Sequence, residues 1–266
     1  MPTMPAAETV LVTGASSGIG AELARAFARS GSSLVLTARS VDRLEALAAE
    51  LRQKGAAAVR VVVADLALAD GPGRLVQRLV EDGVQVDVLV NNAGYAAFGA
   101  LTETRWPEEA GMLQLNVVTL TELTKRLLPG MVQRKRGGVL NVASTAAFQP
   151  GPLMAVYYAT KAYVLSFSEA IAEELRDSGV SVTALCPGPT TSGFQARAAM
   201  EDSRLVKGRR LMDAASVAQA GYEGFRRGDR VVIPGVMNWL LAQSVRLTPR
   251  RWVTRMVYKM SERVKP

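Results

Sequence analysis

The chain has no histidine and a single cysteine, Cys186, in 266 residues. Without imidazole there is no Ser-His-Asp triad, no histidine base and no His-ligated zinc. One thiol excludes an intrachain disulfide and fits a reducing compartment. Its place in the apolar run Val180 to Cys186 makes it read as a buried strand residue. No apolar run reaches the ~18 residues that a membrane-crossing helix needs. Low-complexity segments and internal repeats are absent as well. The first strand signal already stands at Thr9, so no secretory signal peptide is expected.

What is present is the composition of an ordinary globule, 48% hydrophobic and 21% charged, of a length that suits one α/β domain. Apolar runs alternate with helical periodicity. Strands are expected near 9–12, 33–38, 59–63, 86–90, 138–143, 180–186 and 230–233. Helices are expected near 18–30, 40–54, 71–82, 105–135, 156–178 and 213–227. Continuous runs such as Val86 to Val90 argue for strands buried on both faces, hence a parallel sheet. The alternation implies right-handed crossovers and a doubly wound, Rossmann-type α/β sheet of about seven strands with helices on both faces. Ligands bind such sheets beyond the carboxyl ends of the strands.

The residues that carry chemistry cluster at those ends. Thr9 to Val12 leads into Thr13-Gly14-Ala15-Ser16-Ser17-Gly18-Ile19-Gly20 and then into a helical pattern. Strand, glycine turn and helix present backbone N–H groups to a phosphate, although the spacing is not that of the commoner Gly-x-Gly-x-x-Gly turn. After the second strand comes Ala38-Arg39, where an NAD site usually offers a carboxylate. A guanidinium there can grip a 2′-phosphate, which points to NADP(H). The alternative is an arginine that stacks on adenine or is merely solvated. Tyr157 and Lys161 lie four apart on one helix face. An ammonium beside a phenol favours the phenolate, and acid/base work at neutral pH calls for a change worth about 4 kcal/mol. Tyr158 points about 100° away and cannot share that face.

Thr13 to Gly20, Asn91-Asn92-Ala93-Gly94, Asn116, Ser144, Tyr157, Lys161 and Pro187-Gly188 together resemble the compact branch of the short-chain dehydrogenase/reductase family, over roughly residues 8–235. The resemblance implies a nucleotide-binding oxidoreductase that interconverts an alcohol and a carbonyl, needs no metal, and forms a homodimer or homotetramer. It implies that Tyr157 handles the hydroxyl proton, Lys161 tunes it and holds the ribose, and Ser144 orients the substrate oxygen. Asn116 would stabilise a helix kink and hold a relay water. Gly14, Ser16, Ser17, Gly18, Ile19 and Gly20 would cradle phosphates. Asp65 and Leu66 would meet the adenine, with Asn92, Ala93 and Gly94 under the ribose. Pro187, Gly188, Thr190 and Ser192 would grip the nicotinamide; the family commonly has Thr where Ser192 stands. Asp65 reads equally well as a turn residue, and Asn116 as an asparagine with a local backbone bond. Residues 190–213 resemble the substrate loop. Tyr95, Phe98, Phe148, Leu153, Met154 and Phe194 suggest a small apolar substrate, lipid-, steroid- or acyl-like. A nucleotide-sugar epimerase or dehydratase and a non-catalytic cofactor sensor are the rivals. Chain length and turn spacing oppose the first, and intact catalytic positions oppose the second.

Residues 1–247 are thus expected to form one catalytic domain, and 248–266 a basic amphipathic segment. From Arg246 onward seven cations face one acid, Glu262, which is +6 of the chain's +8. The body is nearly neutral, so no nucleic-acid surface is expected. Thr248-Pro249 reads as an N-cap and first helical position. Trp252, Val253, Met256, Val257 and Met260 then recur at helical spacing. Such a helix suits an anionic membrane surface, a second subunit or its own domain. The placement expected is cytoplasmic, with residues 248–263 as the means of any peripheral membrane contact.

Overall fold

A computed structural model of the chain describes residues 8–191, 193, 203 and 211–262. Ser192 and Phe194, most of the 190–213 segment, and Arg263 and Lys265 lie outside the described residues.

Seven strands, all parallel, form one sheet: β1 (Thr9–Thr13), β2 (Ser33–Ala38), β3 (Val59–Val63), β4 (Val88–Asn91), β5 (Gly138–Val142), β6 (Ser181–Leu185) and β9 (Val231–Val232). Their order is β3-β2-β1-β4-β5-β6-β9. The order reverses between β1 and β4, which opens a crevice at their carboxyl ends. A second pair, β7 (Thr190–Thr191) and β8 (Met212–Asp213), lies apart from the sheet. It was not foreseen, because two-residue strands joined across a long segment leave no local pattern.

The apolar runs divide by period two. Val10, Val12, Leu34, Leu36, Val88 and Val90 face one side, against α1 (Gly18–Arg29), α2 (Val41–Gln53) and α7 (Ala214–Arg227). Leu11, Val35, Leu89, Val139 and Val182 face the other, against α3 (Gly71–Glu81), α5 (Leu120–Arg134) and α6 (Ala155–Glu174). Phe27 of α1 is fully buried and packs edge-on against Tyr222 and Phe225 of α7.

The long helix expected near 105–135 is three pieces in line: α4 (Trp106–Leu113), a π-helical segment (Gln114–Thr119) and α5. The π segment widens the helix around Asn116. Helix α6 ends at Glu174, short of 178. Helix α8 (Val236–Ser244) was missed, since Val-Met-Asn-Trp-Leu-Leu-Ala shows little polar–apolar period to read. The last helix, α9, runs from Arg250 to Ser261, with Pro249 rather than Thr248 in the cap position. Thr248 is spent elsewhere: its hydroxyl donates to the Ser244 carbonyl at the end of α8. Val253 and Val257 of α9 are buried in a cluster with Met154, Tyr157 and Tyr158. Part of the basic segment is therefore docked on the body of its own chain.

Candidate active site

The glycine turn is shaped by contact. Gly14 and Gly18 have φ of +64° and +56°, a region that favours glycine. A Cβ on Gly20 would stand 2.3 Å from the Asn92 amide nitrogen and 2.5 Å from the Gly14 carbonyl. Asn92 donates to the carbonyls of Thr13 and Gly14 at 2.9 and 3.2 Å. The Thr13 hydroxyl, 2% exposed, donates to the Val90 carbonyl and accepts from the N–H groups of Asn92 and Ala93. Thr13 thereby ties the ends of β1 and β4 together, an organising role its place in the motif did not reveal. Ser17 caps α1 in extended conformation without a side-chain cap bond. The first N–H groups of α1 are therefore left to an anion. Ser16 is half-buried, Ser17 exposed, and Ile19 packs on the core. These residues fit a dinucleotide phosphate: small side chains, free helix N–H groups and no carboxylate.

Arg39 follows β2, exposed and without an ion pair among the described residues. Ala38 pairs with Val63 in register, which sets Arg39 beside the strand leading to Asp65. Asp65 accepts from the N–H of Ala67, the turn bond that was its bland alternative. Leu66 is buried, its carbonyl accepting from the Thr119 hydroxyl at 2.6 Å. Beneath the crevice, Asn91 donates to Thr124 and to Asn141, and Asn141 donates to Ser168. This buried polar ladder joins β4, β5, α5 and α6. Asn141 was missed, although an asparagine amid Gly-Val-Leu-Asn-Val signals a buried amide that must find partners.

Tyr157, Lys161, Ser144 and Asn116 come together. Lys161, 7% exposed, donates to the Val142 carbonyl at 2.7 Å, and its Nζ lies 5.8 Å from the Tyr157 ring centroid. Burial pushes its amine down to about 8. Ser144, extended at the end of β5, accepts from the N–H of Ala146 and donates to the Pro187 carbonyl. Burial pushes the Tyr157 phenol up, and a hydrogen bond with Ser144 pulls the other way. The Lys161 ammonium is directed at the Val142 backbone carbonyl. Asn116, 2% exposed, is held by Tyr95 on both sides: its Oδ1 accepts from the Tyr95 N–H and its Nδ2 donates to the Tyr95 carbonyl. The amide also donates to Thr160 on α6. A kink at Asn116 was expected and a π segment is found; the amide's backbone bonds go to Tyr95, 21 residues away, rather than to the local backbone of the blander alternative. Gly94 lies between: a Cβ there would be 2.9 Å from Asn116 Oδ1 and 3.8 Å from Lys161 Nζ.

Pro187 is buried, and Thr190 donates to the Gly188 carbonyl. A Cβ on Gly188 would meet the Asn238 amide of α8 at 2.6 Å, so a helix not foreseen props this segment. Tyr158 lies over Gly151, where any Cβ would strike its ring, and under α9. The Ser261 hydroxyl lies near enough to counter its burial-raised phenol without a standard hydrogen bond. The expected apolar pocket gathers only in part. Leu153 and Met154 line a cavity of about 180 Å³ with Met112, Thr104 and Glu109. Tyr95 is turned to the Glu108 carbonyl, and Phe148 packs with Leu120 and Val164. Cys186 is fully buried, its thiol pushed up to about 12. Among the described residues no three His, Cys, Asp or Glu side chains are grouped to hold a metal, and no helix is long and apolar enough to cross a membrane.

The profile of the short chain dehydrogenase family matches residues 8–202. The chain belongs to the short-chain dehydrogenase/reductase family. It is 32% identical over 249 residues to a very-long-chain 3-oxoacyl-CoA reductase of Pyrenophora tritici-repentis, covering 90% of this chain and 72% of that protein. The chain spans 60% of the length of a short chain dehydrogenase of Pseudocercospora fijiensis and 58% of a human very-long-chain 3-oxoacyl-CoA reductase, to which it is 36% and 32% identical. Among solved structures, a short-chain dehydrogenase from Sphingobium yanoikuyae in complex with NADPH is 37% identical, with a TM-score of 0.81 over 90% of this chain and 94% of that one. A bulky-bulky ketone specific alcohol dehydrogenase from Comamonas testosteroni is 32% identical, with a TM-score of 0.76 over 90% and 92% of the two chains. The family carries nucleotide-binding Rossmann folds, and the seven-stranded sheet is of that kind.

Proposed function

We propose that this member of the family is an NADP(H)-dependent oxidoreductase interconverting an alcohol and a carbonyl on an apolar substrate. The observation that carries the reading is the buried pair Tyr157 and Lys161 with the half-buried Ser144 bonded to the phenol. When bound, the nicotinamide supplies or takes the hydride. The protein's residues do the rest. A Tyr157 phenol held protonated by burial is ready to donate to a carbonyl oxygen at neutral pH. Ser144, already bonded to Tyr157, is placed to fix that oxygen and to share its developing charge. Lys161, largely charged at neutral pH, stabilises negative charge on the phenol oxygen after transfer and is placed to hold a ribose. Asn116 binds the π segment to α6 through Thr160, whose hydroxyl donates to the Tyr157 carbonyl. A water relay past Lys161 remains part of the proposal.

Arg39, without a neighbouring carboxylate in sequence, supports NADP(H) over NAD(H). The similarity to a very-long-chain 3-oxoacyl-CoA reductase and to a bulky-bulky ketone specific alcohol dehydrogenase supports an apolar carbonyl. A homodimer or homotetramer and a cytoplasmic location, with peripheral membrane contact, complete the reading. The test is NADPH consumption across apolar ketones and 3-oxoacyl thioesters. Turnover that vanishes in Tyr157→Phe and prefers NADPH to NADH upholds it. Tight NADPH binding with no turnover of any carbonyl would make the protein a sensor instead.

A further inference from the structure

The exposed apolar surface is concentrated where the sequence pattern did not place it. Helix α8 presents Val236, Met237, Leu240 and Leu241 outward, each between 48% and 77% exposed, and Leu247 beyond it is 91% exposed. Only Ala242 of this helix is buried. Folded proteins seldom leave so many large apolar side chains of one short helix in water. Helix α9 divides its apolar residues. Val253 and Val257 point inward to Met154, Tyr157 and Tyr158, whereas Trp252 and Met256 are 57% and 58% exposed. Trp252, Arg255, Met256 and Lys259 are spaced i, i+3, i+4 and i+7, so two apolar and two cationic residues share one outward face.

Charge decides what that surface fits. From Arg230 to Ser261 there is no Asp or Glu, while Arg246, Arg250, Arg251, Arg255 and Lys259 lie within it. None of those five forms an ion pair among the described residues. A symmetric contact with a second copy would bring the two sets of cations face to face, with no acid between Arg230 and Ser261 to neutralise them. An anionic bilayer meets both properties at once: acyl chains for the leucines and tryptophan, headgroups for the cations.

We propose that α8 and the outward face of α9 form a docking surface for an anionic lipid bilayer. Insertion rests on α8 and attraction on α9. This does not depend on the reaction assigned above. It differs from the expectation raised by the basic segment alone, because that segment spends Val253 and Val257 on its own domain. The surface adjoins the site: Asn238 of α8 presses on Gly188, and α9 covers Tyr157 and Tyr158.

The test is co-sedimentation of the full chain with vesicles of equal parts phosphatidylcholine and phosphatidylglycerol, and with phosphatidylcholine alone, over rising salt. The wild type should bind the anionic vesicles, with most of the binding lost at high salt and a remainder persisting. Arg255→Ala with Lys259→Ala should cut low-salt binding roughly ten- to thirtyfold and spare the remainder, since each cation near such a surface contributes about 1 kcal/mol. Leu240→Glu with Leu241→Glu should remove the remainder. All four positions are exposed, and thermal melting checks that both variants stay folded. Absence of wild-type binding, or binding that neither variant alters, would overturn the proposal. A solution dimer broken by Leu240→Glu without any vesicle binding would make the face a subunit contact.

Discussion

The cofactor end and the carboxyl-terminal annex of this molecule are built in opposite ways. At the first, backbone is closely approached: Gly14 and Gly20 are pressed against Asn92, and Thr13 and Asn92 stitch β1 to β4 by several hydrogen bonds. At the second, α8 and α9 rest on the body through a few apolar side chains and leave most of their surface in solvent. A region held by close backbone contact tolerates almost no added atom. A region held by side-chain packing loses stability in small steps. The proposed chemistry falls where the two meet, with Tyr157 bonded to Ser144 on one side and covered by α9 on the other.

The largest effect should come at that meeting point. Tyr157→Phe removes the transferable proton while the ring still packs, so turnover should fall by about 10²–10⁴-fold with NADPH affinity nearly unchanged. Tyr158→Phe, made as a control, should be mild. A Tyr157→Phe enzyme with a tenth of the wild-type rate would refute the assignment.

Gly20→Ala probes the backbone-packed end. Its Cβ has no room beside Asn92 and the Gly14 carbonyl, so folding stability should drop by about 2–3 kcal/mol and NADPH binding with it. Denaturant melts and fluorescence titration would show a tolerated alanine if the turn were looser than described. Arg39→Ala sits at the edge of the same region. NADPH binding should weaken by about 1.5–3 kcal/mol with NADH binding little changed; equal losses would indicate stacking on adenine.

Val257→Ala measures the other side of the comparison. It opens a small space against Tyr157 and Tyr158 and should lower stability by about 1–2 kcal/mol, together with some loss of kcat. Truncation after Leu247, which looks harmless when the tail is seen as a mere appendage, should for the same reason disturb turnover.

The smallest effect is a pH dependence. Lys161 sits at about 8 in the fold against 10.5 when free. Between those values the unfolded chain binds more protons, so raising the pH through that window should stabilise the fold, by about 1–3 kcal/mol. Loss of the ammonium over the same range should weaken NADPH binding by about 1 kcal/mol. Opposite slopes in melting and in titration would support the role given to Lys161; parallel slopes would point to another group.

Much of the site was legible because its signals are short and local. Gly14 to Gly20 and the pair Tyr157 and Lys161 each lie within one turn or helix, and strand ends collect them by topology. The partners of Asn141, the cross-ties of Thr13 and the prop at Asn238 were not legible, since the groups they meet lie tens of residues away in sequence. Helix α8 escaped notice because a mostly apolar run, broken early only by Asn238, has little period to read. The bond from Lys161 to the Val142 carbonyl was not legible either, because spacing tells which face a lysine occupies but not which oxygen its ammonium bonds.

The sequence by itself determined the family, the parallel sheet and the residues gathered at its carboxyl ends, since these follow from glycine stereochemistry, helical spacing and the alternation of buried strands with helices. Only the tertiary structure decided how Tyr157 is buried, that Lys161 bonds Val142, and that the basic segment turns Val253 and Val257 inward while α8 faces outward. Those outcomes rest on desolvation and packing between residues far apart in the chain, which no local pattern encodes.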